Sequence, residues 1–310
     1  MNTKKNIGII VRVLIGLVFI ASAVTKYISI EAFDIFIYEH QLFPWVMTTF
    51  VTRLLIAIEG CLGVLLVLGV YSKIIKKIVI GFLAFFTIYV ILKPFLFNVD
   101  TTNCHCFGTV LILSDTQTLI KNIILLILSY FMFWDKGNCF INKQWHTYTA
   151  VVLPIFALIC VFLITKPDVF RHKRIAEIDQ AKFDYLLSTK EMKALKVTDG
   201  RKIVCMFSTG CKYCKRTAMR LEVIKQRNNL ADSSFAIVFW GNPKSVNKFF
   251  NQTKIERLPH TLVSPILFLR ATKGRQPVII LMDNGKIVEL LKYPNINEKE
   301  ITNFINNNNE

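Results

Sequence analysis

The sequence predicts a multi-domain chain, an all-α transmembrane helical bundle followed by an α/β domain. Three observations carry this. Of 310 residues, 53% are hydrophobic, and most of that excess lies before residue 166. The early part holds five apolar stretches of spanning length. The later part alternates short apolar runs with helical periodicity and turn signals. The domain boundaries expected are 1–165 for the bundle, 166–185 for a linker and 186–310 for the α/β domain.

The five spans read as Ile7–Val24, Val46–Val70, Ile74–Phe97, Leu119–Trp134 and Thr147–Ile164. The last has no charge over 18 residues, and the fourth is short enough to be a re-entrant or buried helix. Ala21-Ser22-Ala23 resembles a cleavage site. The apolar stretch begins before Arg12 and outruns a usual signal-peptide core, so the first span is read as retained. Basic residues set the orientation. Lys4, Lys5, Arg12, Lys73, Lys76, Lys77, Lys136 and Lys143 fall at one set of ends. Lys26, Lys93 and Lys121 fall at the other, mixed with Glu31, Asp34, Glu39, Asp100 and Asp115. The positive-inside rule then places the N-terminus in the cytoplasm of a bacterial inner membrane and the domain after Lys166 in the periplasm.

In that domain Lys202–Ser208 reads as a strand and Cys211–Gln226 as a helix, with Cys211-Lys212-Tyr213-Cys214 at their junction. A thiolate at a helix N-terminus meets unpaired backbone N–H groups and the positive end of the dipole. Lys212 and Lys215 add positive charge, and a thiol three residues on can resolve a mixed disulfide. The competing reading is half a zinc site. After Cys214 there are no cysteines and one histidine, His260, so no second ligand pair is in view and no metal is expected.

The remaining elements follow from local signals. Phe170–Val197 reads as linker plus a helix capped by Ser188-x-x-Glu191. Phe235–Trp240 is a strand and Ser245–Asn251 a helix. Ser264-Pro265 starts a helix that Gly274 stops. Val278–Met282 and Ile287–Leu291 form a hairpin through Asp283-Asn284-Gly285-Lys286, and Asn297-x-x-Glu300 caps a last helix.

A second cysteine pair, Cys104-His105-Cys106, falls between spans three and four, on the same outer side. A C-x-C disulfide closes a small, strained ring, and strain makes it more oxidising. The pair reads as an exchange partner of Cys211/Cys214, with His105 as a local base or cation. A structural disulfide and a metal site stay open as alternatives. Glu59 lies mid-span, where an ionisable group is costly. Its plain role is pairing with Arg12 or Arg53. Arg53 is read as snorkelling to headgroups, the sharper alternative being stabilisation of a thiolate or a quinone oxygen. Cys61 and Cys160 read as small apolar residues within spans, and Cys139 as a reduced cytoplasmic thiol.

Residues 7–134 resemble the DoxX/MauE family of small membrane proteins. The resemblance rests on Ser22-Ala23-Val24-Thr25-Lys26, the amphipathic Phe33–Leu42 with Pro44, Glu59-Gly60, and Cys104-x-Cys106-Phe107-Gly108, in that order. MauE-type proteins are implicated, with a thioredoxin-like partner, in maturing a disulfide-rich dehydrogenase subunit. This does not imply methylamine as a substrate. Residues 180–306 resemble the thioredoxin fold, so the expected second domain is thioredoxin-like. That resemblance implies a cis Pro277 lying against the redox pair, with the backbone of Gln276 beside Cys211. The family's buried carboxylate, six residues before the first redox cysteine, is replaced here by Cys205.

The expected function is that of a membrane-anchored thiol–disulfide oxidoreductase, with Cys211 attacking, Cys214 resolving and Cys104/Cys106 exchanging with them. Its partners would be cysteine-containing envelope proteins and the lipid bilayer. No cofactor is required, and a quinone is the optional electron partner. Two other readings stay open. One is a non-catalytic membrane scaffold or maturation factor. The other is a transmembrane carrier of reducing equivalents that uses Cys61, Cys139 or Cys160. The formal charge is +17, of which residues 166–310 supply +12 from 26 Lys+Arg and 14 Asp+Glu. No nucleic-acid motif accompanies it, so an acidic partner or anionic headgroups fit better than nucleic acid.

Overall fold

A computed structural model describes residues 2–96, 113–135, 142–170, 177–291, 293–294 and 296–306. Cys104, His105, Cys106 and Cys139 lie outside the described residues. The chain divides into two compact units, Met1–Pro167 and Asp168–Glu310.

The first unit is helical: α1 (Asn2–Ile28), α2 (Ile30–Glu39), α3 (Trp45–Leu68), α4 (Ser72–Leu96), α5 (Asp115–Phe131) and α6 (His146–Ile164). Among the described residues five helices, all but α2, are long and apolar enough to cross a membrane. Their outer faces carry Ile10, Leu14, Leu17, Phe85, Ile88, Ile127 and Phe156, all exposed. A surface this apolar suits hydrocarbon rather than water. Helices α1 and α3 approach closely because both are glycine there. A Cβ on Gly63 would sit 2.8 Å from the Gly16 carbonyl oxygen, and one on Gly16 would sit 2.7 Å from Val67. Helix α5 starts on a capping box, with Gln117 N–H donating to Ser114 Oγ at 3.2 Å and Ser114 N–H to Gln117 Oε1 at 3.0 Å.

Buried ion pairs lock the bundle, and two differ from the sequence reading. Glu59 pairs with neither arginine. Lys26 Nζ donates to it at 2.6 Å, from the last turn of α1. Arg53 does not snorkel. It is fully buried, 2.6 Å from Asp34 of α2, and also donates to the carbonyls of Thr49 and Thr165. Arg12 takes Asp135 at 2.6 Å, where Lys76 also arrives at 3.3 Å. The physical reason is shared: a charge held in an apolar bundle needs an opposite charge and hydrogen bonds at contact distance.

The second unit runs α7 (Gln180–Ser188), α8 (Lys190–Ala194), β1 (Arg201–Ser208), α9 (Lys212–Arg227), β2 (Phe235–Trp240), α10 (Pro243–Thr253), β3 (His260–Val263), α11 (Pro265–Ala271), β4 (Val278–Asp283), β5 (Lys286–Leu290) and α12 (Glu298–Asn306). The sheet order is β3-β2-β1-β4-β5. β1, β2 and β3 are parallel, and β4 and β5 antiparallel. This is the thioredoxin arrangement, a β-α-β half joined to a β-β-α half, with one added parallel edge strand. β1 lies mid-sheet and is buried from Ile203 to Ser208, as a strand covered on both faces must be. One layer of the core joins Val204, Met206, Val238, Ile280 and Phe268 to Phe183 and Leu186 of α7. The other stacks Phe207, Phe239 and Phe249, the last two with ring centroids 4.9 Å apart.

Three details depart from the sequence reading. Ser188 does not cap a helix. It closes α7, donating to the Tyr185 carbonyl, while Asp179 accepts the Lys182 N–H at the true N-terminus. The fully buried Phe183 makes α7 part of the core, so the ordered unit reaches upstream of residue 186. Strand β3 had no sequence signal. It is four residues long, at the sheet edge, directly after Pro259.

Candidate functional site: the dithiol at the start of α9

β1 delivers the chain to the edge of the sheet, where Ser208, Thr209 and Gly210 turn it into α9. Cys211 is the N-cap. Its φ of −76° and ψ of 119° are non-helical, its N–H donates to the Ser208 carbonyl at 3.1 Å, and its Sγ accepts the Cys214 N–H at 3.3 Å. A sulfur here replaces the usual capping oxygen. The turn is pinned from the segment that leads from β2 into α10. Thr209 Oγ1 donates to Ser245 Oγ at 2.9 Å, and Gly241 (φ +153°) is required beside it, since a Cβ would stand 2.7 Å from Thr209 Oγ1.

Both thiols are free, and their surroundings separate them. The Cys211 thiol is held down to about 6. The chief cause is a hydrogen bond from the Cys214 thiol. The backbone N–H groups of Cys214 and Tyr213 and the Lys215 charge reinforce it against the cost of burial. Cys214 is fully buried, and burial first, then its hydrogen bond to Cys211, pushes its thiol far up. One sulfur is therefore an accessible thiolate near neutrality, and the other a protonated thiol directly behind it. Lys215 is the cation that acts on Cys211; Lys212 is exposed on the same turn. Cys205 pairs with Ile237 and Ile279 in mid-sheet, and burial pushes its thiol far up, so it behaves as a core residue.

The peptide between Gln276 and Pro277 is cis, as the thioredoxin resemblance implied. Pairing of Met206 with Val278 brings Pro277 to the end of β1 from which the redox turn leaves. Trp240, at the end of β2, donates its indole N–H to Gln276 Oε1 at 3.0 Å and so fixes the side chain that precedes the proline.

Several contributors carried no sequence signal. Tyr213 packs against Tyr293 with ring centroids 5.8 Å apart. The Tyr293–Pro294 turn is held by Arg220 of α9, which donates to the carbonyls of Pro294 (2.7 Å) and Ile296. Arg216, two residues after Cys214, is buried and paired with Asp168 at 3.1 Å. The hydrogen-bonded partners are 48 to 76 residues apart in sequence, which is why local patterning does not show them.

Among the described residues no group of three His, Cys, Asp or Glu side chains is placed to hold a metal ion. The first unit has a cavity of about 40 Å³ bounded by Ser22, Lys26, Glu59, Phe86, Lys121 and Asn122. That is space for two or three water molecules.

Fold and site together define a class: a bundle of apolar helices joined to a thioredoxin-fold domain with an N-capping Cys-x-x-Cys dithiol. Comparison with known proteins gives the particulars. Residues 4–135 match the family described as Methylamine utilisation protein MauE. Protein TlpB of Flavobacterium psychrophilum is 26% identical over 314 residues, which cover 84% of each chain. Among solved structures, the thioredoxin domain of a thiol-disulfide oxidoreductase from Bacteroides vulgatus shares 18% identity. It covers 37% of this chain and 84% of its own length, with a TM-score of 0.30. A secreted Mycobacterium tuberculosis disulfide oxidoreductase homologous to E. coli DsbE shares 11%, covering 34% and 80%, with a TM-score of 0.28.

Proposed function

We propose that this chain is a membrane-anchored thiol–disulfide oxidoreductase of the bacterial envelope, with its thioredoxin-like domain on the periplasmic side. The observation that carries this reading is the division of labour between the two sulfurs, an accessible Cys211 thiolate and a buried, protonated Cys214. In the reducing direction Cys211 attacks one sulfur of a client disulfide. A Cys211–client disulfide forms, and the other client sulfur leaves as a thiolate. Cys214 then gives up its proton, which that thiolate can take, and attacks Cys211. The internal disulfide closes and the client departs as one thiol and one thiolate, the latter taking its proton from water. Two electrons pass to the client. Run backwards, the same steps oxidise a client dithiol.

Cys104/Cys106 is the proposed partner that resets the pair, because the positive-inside reading of the sequence assigns this pair and the chain after Lys166 to the same side of the membrane. Cys205 supplies no carboxylate to take the Cys214 proton, so the leaving client sulfur takes it.

Thiol trapping in intact cells tests this. Cys214→Ala should leave Cys211 caught in mixed disulfides that run as high-mass bands without reductant. With the chain cut between its units, the halves should stay linked, and adding Cys104→Ala and Cys106→Ala should release them. Capture only on other proteins would remove the internal relay and leave an anchored enzyme. No capture at all would leave the scaffold reading instead.

A further inference from the structure

One end of the bundle is built from the starts of α1, α4 and α6 and from the Met132–Asp135 turn that follows α5. Contacts tie these pieces together. Lys4 lies over the Trp134 ring at 5.7 Å, Lys76 donates to the Asp135 carbonyl at 2.9 Å, and Tyr71 and Thr147 share a hydrogen bond of 2.8 Å. Segments 2–12, 69–78 and 131–135 contain Lys4, Lys5, Arg12, Lys73, Lys76 and Lys77 and one acid, Asp135; segment 142–148 adds no acid. Asp135 is buried and already taken by Arg12 and Lys76. Lys4, Lys5, Lys73 and Lys77 are exposed, and among the described residues no carboxylate reaches any of the four. At the other end the cations are matched, Lys26 by Glu59, Arg53 by Asp34 and Lys93 by Asp115.

The four lysines are placed where the chain alone makes them costly. Lys4 and Lys5 stand in the first turn of α1 and Lys73 in that of α4, and neither turn has an acid. A first turn is the positive end of the helix dipole, which favours anions and disfavours cations. Lys73 and Lys77 are four residues apart on one face of α4 and repel. Anions bound at this end would reverse both effects. The neighbouring surface says which anion. Ile7 and Ile10 follow the lysines along α1, Ile74 and Ile78 adjoin them on α4, and all four are exposed. Tyr71, Trp145 and Tyr148 are exposed at the same end, as aromatic side chains at a headgroup boundary are. We propose that this end of the bundle is a binding site for anionic phospholipid, with the phosphate on Lys4, Lys5, Lys73 and Lys77 and the acyl chains along α1 and α4. Lipid is the occupant favoured over an acidic protein, because unmatched positive charge passes into exposed apolar surface within one helical turn. A zwitterionic headgroup brings its own ammonium and so answers the lysines less well.

The test uses the full chain in non-ionic detergent, where membrane orientation plays no part. It is offered phosphatidylglycerol and phosphatidylcholine in equal amounts with matched acyl chains, and native mass spectrometry counts the lipids retained. Phosphatidylglycerol should be held about tenfold over phosphatidylcholine. Lys73→Gln with Lys77→Gln should cut that ratio about fivefold, and Lys4→Gln with Lys5→Gln should lower it alike. Lys73→Arg with Lys77→Arg keeps the charge and should keep the ratio. Lys190→Gln with Lys193→Gln removes the same charge from exposed positions on α8 and should also keep it. Thermal melts in the same detergent confirm that each variant is folded. Inorganic phosphate should displace no more lipid than chloride at equal ionic strength; greater displacement would assign the lysines to free phosphate and overturn the proposal. A wild-type ratio near one would overturn it too, leaving the lysines to set topology alone. A ratio that neither glutamine pair moves, or that the α8 pair moves as much, would do the same.

Discussion

The depressed Cys211 thiol makes a prediction in which the shape of a curve matters more than its height. With its midpoint at about 6, Cys211 is roughly nine-tenths thiolate at pH 7, against about one-hundredth for a thiol at the unperturbed value of 9.0. That is about a ninetyfold gain in the reactive form. A weaker base is also a weaker nucleophile. With a Brønsted slope of about 0.45, three pH units cost roughly twentyfold per thiolate. The net advantage at pH 7 is only about fourfold. Alkylation of residue 211 by iodoacetamide, resolved from the other cysteines by peptide mass spectrometry, should therefore be unspectacular in rate. It should rise through pH about 6 and be flat above pH 7.5. Cys214→Ala removes the hydrogen bond that is the largest cause of the shift and should move the midpoint up by about one pH unit. The backbone N–H donors and Lys215 keep it below an ordinary thiol. A wild-type midpoint at 8.5 or above, or a midpoint indifferent to Cys214→Ala, would refute the electrostatic account.

Other substitutions test the scaffold. Trp240→Phe deletes the donor to Gln276 Oε1 and leaves the ring; urea denaturation should show a loss of about 1 kcal/mol, with client exchange slowed. Phe183→Ala should cost the second unit about 3–5 kcal/mol by calorimetry if α7 is part of its core, and close to nothing if α7 is a linker. In the bundle, Lys26→Met strands Glu59 and should lower the melting temperature in detergent. Lys26→Met with Glu59→Leu should recover most of that loss, because removing both charges ends the desolvation cost.

The legible parts of this fold were those whose signal is local. The apolar spans, the β1–Cys-x-x-Cys–α9 junction, the Ser264-Pro265 helix start and the β4–β5 turn each state themselves within a few residues. What the sequence hid was pairing at a distance. Lys26 finds Glu59 33 residues away, and Arg12 finds Asp135 123 residues away. Nothing local distinguishes these partners from Arg53, which the bundle turns to Asp34. At the site, Cys211 and Cys214 were plain, but Trp240, Arg220 and Tyr293 act through contacts that exist only once the sheet is assembled. β3 is a strand because β2 offers it an edge, with His260 aligned to Ile237, and its own four residues carry little preference.

The same Cys211 shift fixes how stability should follow pH, and with it the redox poise. The folded thiol titrates below its unfolded value of 9.0, so the stabilisation is complete above pH 9 and is lost as pH falls through about 6. At pH 7 the two midpoints differ in proton binding by a factor of about eleven, roughly 1.4 kcal/mol, and about 1 kcal/mol once screening of a half-exposed sulfur is allowed for. Cys214, raised rather than lowered, is neutral in both states at that pH and adds nothing. Only the dithiol form gains, since the disulfide has no thiolate. The gain therefore favours reduction of the pair, making its disulfide the more oxidising by about 20 mV. Urea midpoints of the reduced protein should fall between pH 9 and pH 6 while those of the oxidised protein do not follow them. Parallel curves for the two forms would show that the thiolate contributes nothing to stability, and the argument for an oxidising poise would go with it.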